Sequence, residues 1–341
     1  MHTHEHSEED LLVTARSRTR RTRMTEMHRR VVRETSLEPR NLILPLFAIE
    51  GDANFRKPIK SMPGVDQLGI NGILRECESA LEANLGGVIL FGIPEHKDEF
   101  GSEAYNDRGV IQEAVREIKS RFPELLVATD VCLCEYTEHG HCGVVERTHD
   151  GRIEIVNDKT VELLVREAVS HAEAGSDLIA PSDMMDGRIG AIREALDASG
   201  FTSLPIMSYS AKYASGLYGP FRDAAGSTPT FGDRRSHQMD VANSDEALRV
   251  VQRDIEEGAD IIMVKPAISS LDIIRRIREQ FAMPTAAYQV SGEYSMILAA
   301  GANGWIDEER VMMESLLAIK RAGASIILTY FALRAAKVLS K

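Results

Sequence analysis

Residues 260–267 read DIIMVKPA and residues 204–212 read LPIMSYSAK. Each is a short run of apolar and β-rich side chains that closes on a lysine, the pattern of a strand covered on both faces with a reactive group at its carboxyl end. Working outward from this pair, comparable runs span Leu42 to Phe47, Gly87 to Phe91, Leu125 to Leu133, Asp177 to Pro181, Leu204 to Ser208, Asp260 to Val264, Thr285 to Val290 and Ser325 to Tyr330. Between them, Val161 to Ala174, Ser244 to Glu257, Leu271 to Phe281 and Glu308 to Ala322 space their apolar residues three and four apart, which predicts amphipathic helices. Strands without a polar face need helical cover on both sides and so pair in parallel. Eight such units predict an α/β fold, a (β/α)8 TIM barrel over residues 36–341. An open doubly wound sheet is the competing architecture, but no Gly-x-Gly-x-x-Gly sequence follows the first strand to support a dinucleotide-binding half.

Composition agrees with a folded chain: of 341 residues, 43% are hydrophobic and 27% charged. A net charge of -12 argues against nucleic acid and anionic membrane as partners. No apolar run reaches the roughly 18 to 20 residues that cross a bilayer, and the opening MHTHEHSEED lacks a signal peptide's apolar core, so the expected location is the cytoplasm. Residues 1–35 read as an extended N-terminal arm rather than core. Arg16, Arg18, Arg20, Arg21, Arg23, Arg29, Arg30 and Arg33 crowd into it with few apolar side chains. A partly mobile arm that contacts another subunit, a solvated terminus, a nucleic-acid tail and a transit peptide compete here; the acidic run Glu8, Glu9 and Asp10 weighs against transit. His2, His4 and His6 read as tail residues rather than a metal site.

A barrel places its chemistry at the carboxyl ends of the strands. Lys212 and Lys265 stand near the ends of the fifth and sixth runs, and adjacent strands are about 4.8 Å apart, so both amines should enter one mouth. Burial and like charge then leave one of them neutral near pH 7, fit to attack a ketone and form a Schiff base. A solvated loop lysine is the ordinary alternative, but Lys265 closes a core strand.

The segment DVCLCEYTEHGHCG places Cys132, Cys134 and Cys142 at and beyond the end of the third strand. Residues two apart on a strand face the same side, so Cys132 and Cys134 address one ion while the loop returns Cys142. Three thiolates with an open fourth position suit catalytic Zn2+. His139 or His141 would close the site into a structural one, and redox cysteines are a third reading. Cys77, alone in a helical stretch, reads as buried and inert.

Taken together, SYSAKYASGLYGPFR, MVKPA, DVCLC with HGHCG, PSDMMDGR and VSGE resemble the porphobilinogen synthase family, also called 5-aminolaevulinate dehydratases. The similarity runs from RETSLEPRNLILPLF to SIILTYF, in order. It implies condensation of two 5-aminolaevulinate molecules to porphobilinogen with loss of two waters, in haem and related tetrapyrrole biosynthesis. It also implies a homo-oligomer, commonly an octamer, whose arms wrap neighbouring subunits. By the same resemblance, Lys265 of MVKP forms a Schiff base with the first substrate and Lys212 of SYSAK holds the second. Ser291 and Tyr330 would bind the first carboxylate, and Arg222 and Arg234, with Gln238 nearby, the second.

Guanidinium groups also suit recruitment of an anionic substrate by an acidic chain. Arg222 and Arg234 lie in a Gly-, Pro-, Ser- and Thr-rich segment, about 213–236, that reads as a mobile active-site lid. Asp130, Ser182 and Asp183 are candidates for orienting the substrate amine or moving protons, although Ser182 or Asp183 equally suits a cap of the next helix. Asp186 and Arg188 read as a local ion pair. One departure concerns magnesium: in the family resembled, many bacterial members carry a glutamate for an activating Mg2+ where this chain has Val250, which puts allosteric Mg2+ in doubt; a cationic substitute from Arg249 and Arg253 and a loss of the regulation are the two readings. A one-lysine Schiff-base aldolase with a structural zinc loop, and a non-catalytic zinc-containing assembly protein that uses its arm, are the rival functions.

Overall fold

The computed structural model describes residues 18–149 and 153–340. The chain divides into two units, Met1–Ser36 and Leu37–Lys341. His2, His4, His6, the acidic run Glu8 to Asp10 and Arg16 lie outside the described residues. In the first unit, a single turn at Thr19–Arg23 precedes a short helix, Glu26–Val31, whose first turn is capped by the Thr25 hydroxyl accepting from the His28 amide. Met24, Met27 and Val31 are exposed on it.

The second unit contains eight parallel strands: β1 Leu42–Ile49, β2 Gly87–Ile93, β3 Val127–Val131, β4 Leu178–Pro181, β5 Met207–Lys212, β6 Ile261–Lys265, β7 Thr285–Gln289 and β8 Ile326–Thr329. They pair in the order β4-β3-β2-β1-β8-β7-β6-β5. A single bridge between Ile179 of β4 and Ile206, just before β5, brings the two ends together and makes the sheet a nearly closed barrel. The expected alternation is present. Crossover helices α1 Ile70–Glu82, α2 Val110–Arg121, α3 Asn157–Ala174, α4 Arg188–Ala198, α5 Asp245–Glu256, α6 Leu271–Phe281, α7 Glu308–Ala322 and α8 Ala332–Leu339 follow the strands in turn. Their buried residues recur at helical spacing, as with Ile273, Ile274 and Ile277 of α6, so each helix covers the apolar outer face of the barrel.

Aromatic rings fill the barrel towards its carboxyl end. Phe47 lies 5.7 Å from Phe91 and 6.2 Å from Tyr330, and Tyr288 lies 6.1 Å from Tyr330. Elements beyond the plain alternation decorate this end. Arg56–Pro58 pairs antiparallel with Asp66–Leu68, Val145–Arg147 with Ile153–Ile155, and a helix Ser291–Ala302 starts directly after β7.

The strand limits differ from the expected runs throughout, and the differences in the fifth and third strands bear on the site. The fifth strand begins at Met207 and reaches Lys212, so Lys212 is a strand residue and not a loop residue. The third ends at Val131, before the cysteines, because the chain there bends into a turn in which Tyr136 and Thr137 both donate to the Leu133 carbonyl.

Candidate active site at the carboxyl end of the barrel

Lys212 and Lys265 are the last residues of β5 and β6 and are register partners in the ladder. Both are buried, and both amines sit beside one ring: Nζ of Lys212 is 5.7 Å and Nζ of Lys265 is 5.2 Å from the centre of Tyr209. Lys265 is enclosed further by Tyr288 at 4.4 Å, Phe221 at 5.2 Å and Tyr218 at 5.3 Å. Burial in this apolar wall, then the charge of Lys212, lowers the Lys265 amine to about 7. Burial also opposes the Lys212 charge, but the sulfurs of Cys142, Cys132 and Cys134, with Asp130, outweigh it and hold Lys212 above its ordinary value. The pair is therefore asymmetric: burial and like charge drive the Lys265 amine down, while the sulfurs and Asp130 hold Lys212 up.

The sulfurs of Cys132, Cys134 and Cys142 all lie within 4.8 Å of one another, and those of Cys132 and Cys134 are 3.5 Å apart. A turn after β3 achieves this, not the strand alternation expected from the sequence. Hydrogen bonds from Cys132 and Cys134 hold the Cys142 thiol well below the ordinary thiol range, so it ionises first, while Cys132 is held above that range. Neither His139 nor His141 joins the cluster. The His141 Nε2 meets the Phe231 carbonyl at 2.9 Å, and the His139 Nδ1 accepts from the His141 amide. Among the described residues the cluster is thus three buried sulfurs, a donor set that suits a soft ion and is one ligand short of a closed tetrahedral site.

Asp130, at the penultimate position of β3, accepts from the Ser182 hydroxyl at 2.9 Å, and the Ser182 carbonyl in turn accepts from the Lys212 ammonium. Burial, reinforced by Glu135, raises the Asp130 carboxyl to about 8. Asp183, grouped with these two in the sequence reading, belongs to a separate network: its Oδ1 accepts from the Met185 amide at 2.6 Å and its Oδ2 lies 3.4 Å from Arg188 Nε. Neither Ser182 nor Asp183 caps α4, because Gly187, in the left-handed conformation at φ 77, precedes that helix. Nor do Asp186 and Arg188 pair locally; Arg188 meets Asp183 and Asp254, while Asp186 meets Arg253.

The expected lid is more structured than a loop. It holds a single turn, Gly216–Tyr218, and a helix, Gly219–Ala225, seated on the mouth by Phe221, whose ring is 5.1 Å from Phe91 and 5.6 Å from Phe47. Ser291 fastens it: the hydroxyl accepts from the Phe221 amide at 3.0 Å and donates to the Leu217 carbonyl at 3.3 Å. Tyr330, its expected partner at the first carboxylate, exchanges a hydrogen bond with Tyr288 at 2.9 Å. Arg234 ties lid to cysteine loop through the Ser227 carbonyl at 2.6 Å and the Gly140 carbonyl at 2.8 Å. Burial and the nearby Arg234 charge lower the Arg222 guanidinium. Gln238 is buried, and neither its Oε1 nor its Nε2 has a partner among the described residues.

The comparisons with known proteins bear directly on this arrangement. The model of the family described as Delta-aminolevulinic acid dehydratase matches residues 16–338. This chain belongs to that family. A relative of that name from Synechococcus elongatus is 56% identical over 323 residues, covering 95% of this chain and 98% of the relative. One from Bacillus subtilis is 51% identical over 325 residues, covering 95% and 98%. The solved structure of the Toxoplasma gondii delta-aminolevulinic acid dehydratase (porphobilinogen synthase), in complex with the reaction product porphobilinogen, superposes with a TM-score of 0.91 at 43% identity, covering 94% of this chain and 91% of that one.

Sequence reasoning missed the aromatic wall around Lys265 and the buried Glu135, whose Oε2 lies 3.2 Å from the Cys134 sulfur. Tyr209 had a visible signal, three residues before Lys212 in the same strand. Tyr288, Phe221 and Tyr218 come from other elements, and only the closed barrel assembles them.

Proposed function

We propose that this chain condenses two 5-aminolaevulinate molecules into porphobilinogen with loss of two waters, the chemistry named for its family. The observation that carries the reading is the register pair Lys212 and Lys265, with one neutral and one charged amine in a single buried mouth beside three sulfurs. The Lys265 lone pair forms a C–N bond with the first ketone. The ketone oxygen leaves as water with one proton from the amine and one from the neutral Asp130 carboxyl, giving an iminium and a carboxylate. Lys212 holds the second substrate in the same manner once its charge is relieved. The Lys265 wall excludes water that would hydrolyse the imine.

Ser291 and Tyr330 are assigned to the first carboxylate, and Arg222, Arg234 and Gln238 to the second. The unpaired Gln238 amide and Arg222 Nε support the latter assignment. Cys132, Cys134 and Cys142 would hold Zn2+, which when bound supplies a Lewis acid at its open position. Val250 lines a groove of about 800 Å3 with Asp186, Glu246 and Arg253. Arg253 is engaged there by Asp186, by Asp254 at 3.3 Å and by Glu257 at 3.5 Å, which supports activity independent of Mg2+.

The arm is assigned to subunit contacts in a homo-octamer. No helix among the described residues is long and apolar enough to cross a membrane, and the proposed location is the cytoplasm. The test is direct: purified chain is incubated with 5-aminolaevulinate and the pyrrole product is assayed. Absence of pyrrole from zinc-loaded, folded protein refutes the reading. A one-lysine aldolase would keep its activity after chelation, whereas the condensation is lost.

A further inference from the structure

Every neighbouring pair of barrel strands is held by at least two register pairs except β4 and β5, which meet at the single bridge between Ile179 and Ile206. Beyond that bridge, towards the site, a side chain takes the place of the ladder. Arg188, the first residue of α4, is 0% exposed and the largest fully buried side chain in the chain's described residues. Its guanidinium donates to the Ser208 hydroxyl at 3.2 Å and the Tyr209 carbonyl at 3.4 Å, both on β5, and to the Met185 carbonyl at 3.2 Å, just after β4. It also lies 3.4 Å from Asp183 Oδ2 and 3.5 Å from Asp254 Oδ2. Asp254, on α5, accepts from the same Ser208 hydroxyl at 2.6 Å.

A planar group with five donors can bridge two strands whose backbones, among the described residues, meet at that single bridge, where the Ile179 amide donates to the Pro205 carbonyl at 3.1 Å. The strand ends that it joins carry Ser182 on one side and Lys212 on the other, and those two residues are bonded to each other. We propose that Arg188, with Asp254 behind it, is a positioning residue: it sets the spacing of the β4–β5 seam and thereby aims the Lys212 amine. This rests on the reading of Lys212 as the amine that holds the second substrate. Lys265, on the far side of β5, is held by the β5–β6 ladder and its aromatic wall and does not depend on the clamp.

The experiment compares Ser208→Ala, Asp254→Asn, Arg188→Lys and Arg188→Met with the unsubstituted chain, each checked for folding by circular dichroism. Two readouts are taken: pyrrole formation, and borohydride trapping of substrate at Lys265 located by peptide mapping. The expected result is a split. Trapping at Lys265 stays within about twofold, while kcat falls about 10- to 100-fold, the scale on which a misaimed reacting group costs rate. Arg188→Lys, which keeps a donor and the charge, recovers part of what Arg188→Met loses. Arg188→Met leaves the buried Asp183 and Asp254 carboxylates without their cation, which costs folding stability, so the decision falls to Ser208→Ala and Asp254→Asn. The proposal is overturned if these folded variants keep kcat within twofold, or if trapping falls in parallel with turnover, as a merely structural role would produce. If the unsubstituted chain makes pyrrole but traps no substrate at either lysine, the lysine reading fails first and takes the clamp with it.

Discussion

Lys212 and Lys265 occupy facing positions at the ends of adjacent strands, yet their environments drive them in opposite directions. Aromatic rings surround Lys265, whereas Lys212 faces the readily ionised Cys142 sulfur, with Cys132, Cys134 and Asp130 beside it. The proposed division of labour rests on that contrast, since only the neutral amine attacks a ketone. Lys265→Met should therefore abolish substrate-dependent borohydride labelling. Lys212→Met should retain a label on Lys265 while losing turnover by about 1,000-fold or more. Peptide mapping after reduction checks both. A label found on Lys212 alone would reverse the assignment.

The same contrast fixes a pH dependence. The groups facing the Lys265 amine are Lys212 from β5, Asp130 from β3, and Glu135 and Cys134 from the following loop, besides its rings. With the amine at about 7 and the Asp130 acid at about 8, kcat/KM should rise tenfold per pH unit below the first value and fall again above the second. The folded value lies below the ordinary 10.5, so an unfolded chain binds the proton more readily. The resulting stability cost grows as pH falls from 10.5 to about 7 and is constant below. Rates measured from pH 5 to 9 check the prediction; an acid limb centred near 10 would exclude a neutral resting Lys265.

Much of this was legible in the sequence because the reactive residues terminate strands, and a parallel barrel gathers strand ends by construction. Lys265 closes DIIMVK, and Cys132 follows Val131 directly. What was hidden depends on sheet closure. The seam filled by Arg188 arises where β4 and β5 fail to form a ladder, and no local pattern announces that. PSDMMDGR suggested a pairing of Asp186 with Arg188, but the left-handed Gly187 starts a new helix and turns Arg188 inward to Asp183 and Asp254. The cysteines were found by spacing alone, although a turn and not strand alternation brings them together.

Zinc binding provides a separate test of that cluster. Three sulfur ligands and one open position should bind one zinc per chain, and Cys142→Ser should remove it, since Cys142 is the thiol most readily ionised. Metal analysis of the purified protein reads this without reference to activity. Retention of stoichiometric zinc in Cys142→Ser would exclude this residue as a ligand. Chelation of the unsubstituted chain should suppress pyrrole formation, and added zinc should restore it. Magnesium titrated over the zinc-loaded protein should leave the rate unchanged within about twofold, because Val250 offers no side-chain carboxylate.

Ser291 joins the lid to the end of β7 by donating one hydrogen bond and accepting another. Ser291→Ala removes both, at about 1–2 kcal/mol, so KM should rise roughly 5- to 30-fold. Because the lysines keep their places, kcat should change less. Steady-state kinetics separate these effects, and a drop in kcat with KM unchanged would assign Ser291 to the chemical step instead.

The lid is also held by close backbone approach at the next residue. A Cβ on Gly292 would lie 2.5 Å from the Leu217 carbonyl oxygen and 2.7 Å from Leu217 Cα, too near for either backbone to remain where it is. Gly292→Ala should therefore push Leu217 and the Gly219–Ala225 helix outward, weaken the Phe221 contact over Lys265, and cost about 1–3 kcal/mol of stability. Opening the wall admits water to the Lys265 amine and lessens its desolvation, so its pKa should move up towards the ordinary lysine value. The acid limb of kcat/KM would follow it to higher pH. A loss of thermal stability without a shift of that limb would mean that the lid packs on the barrel without tuning the amine.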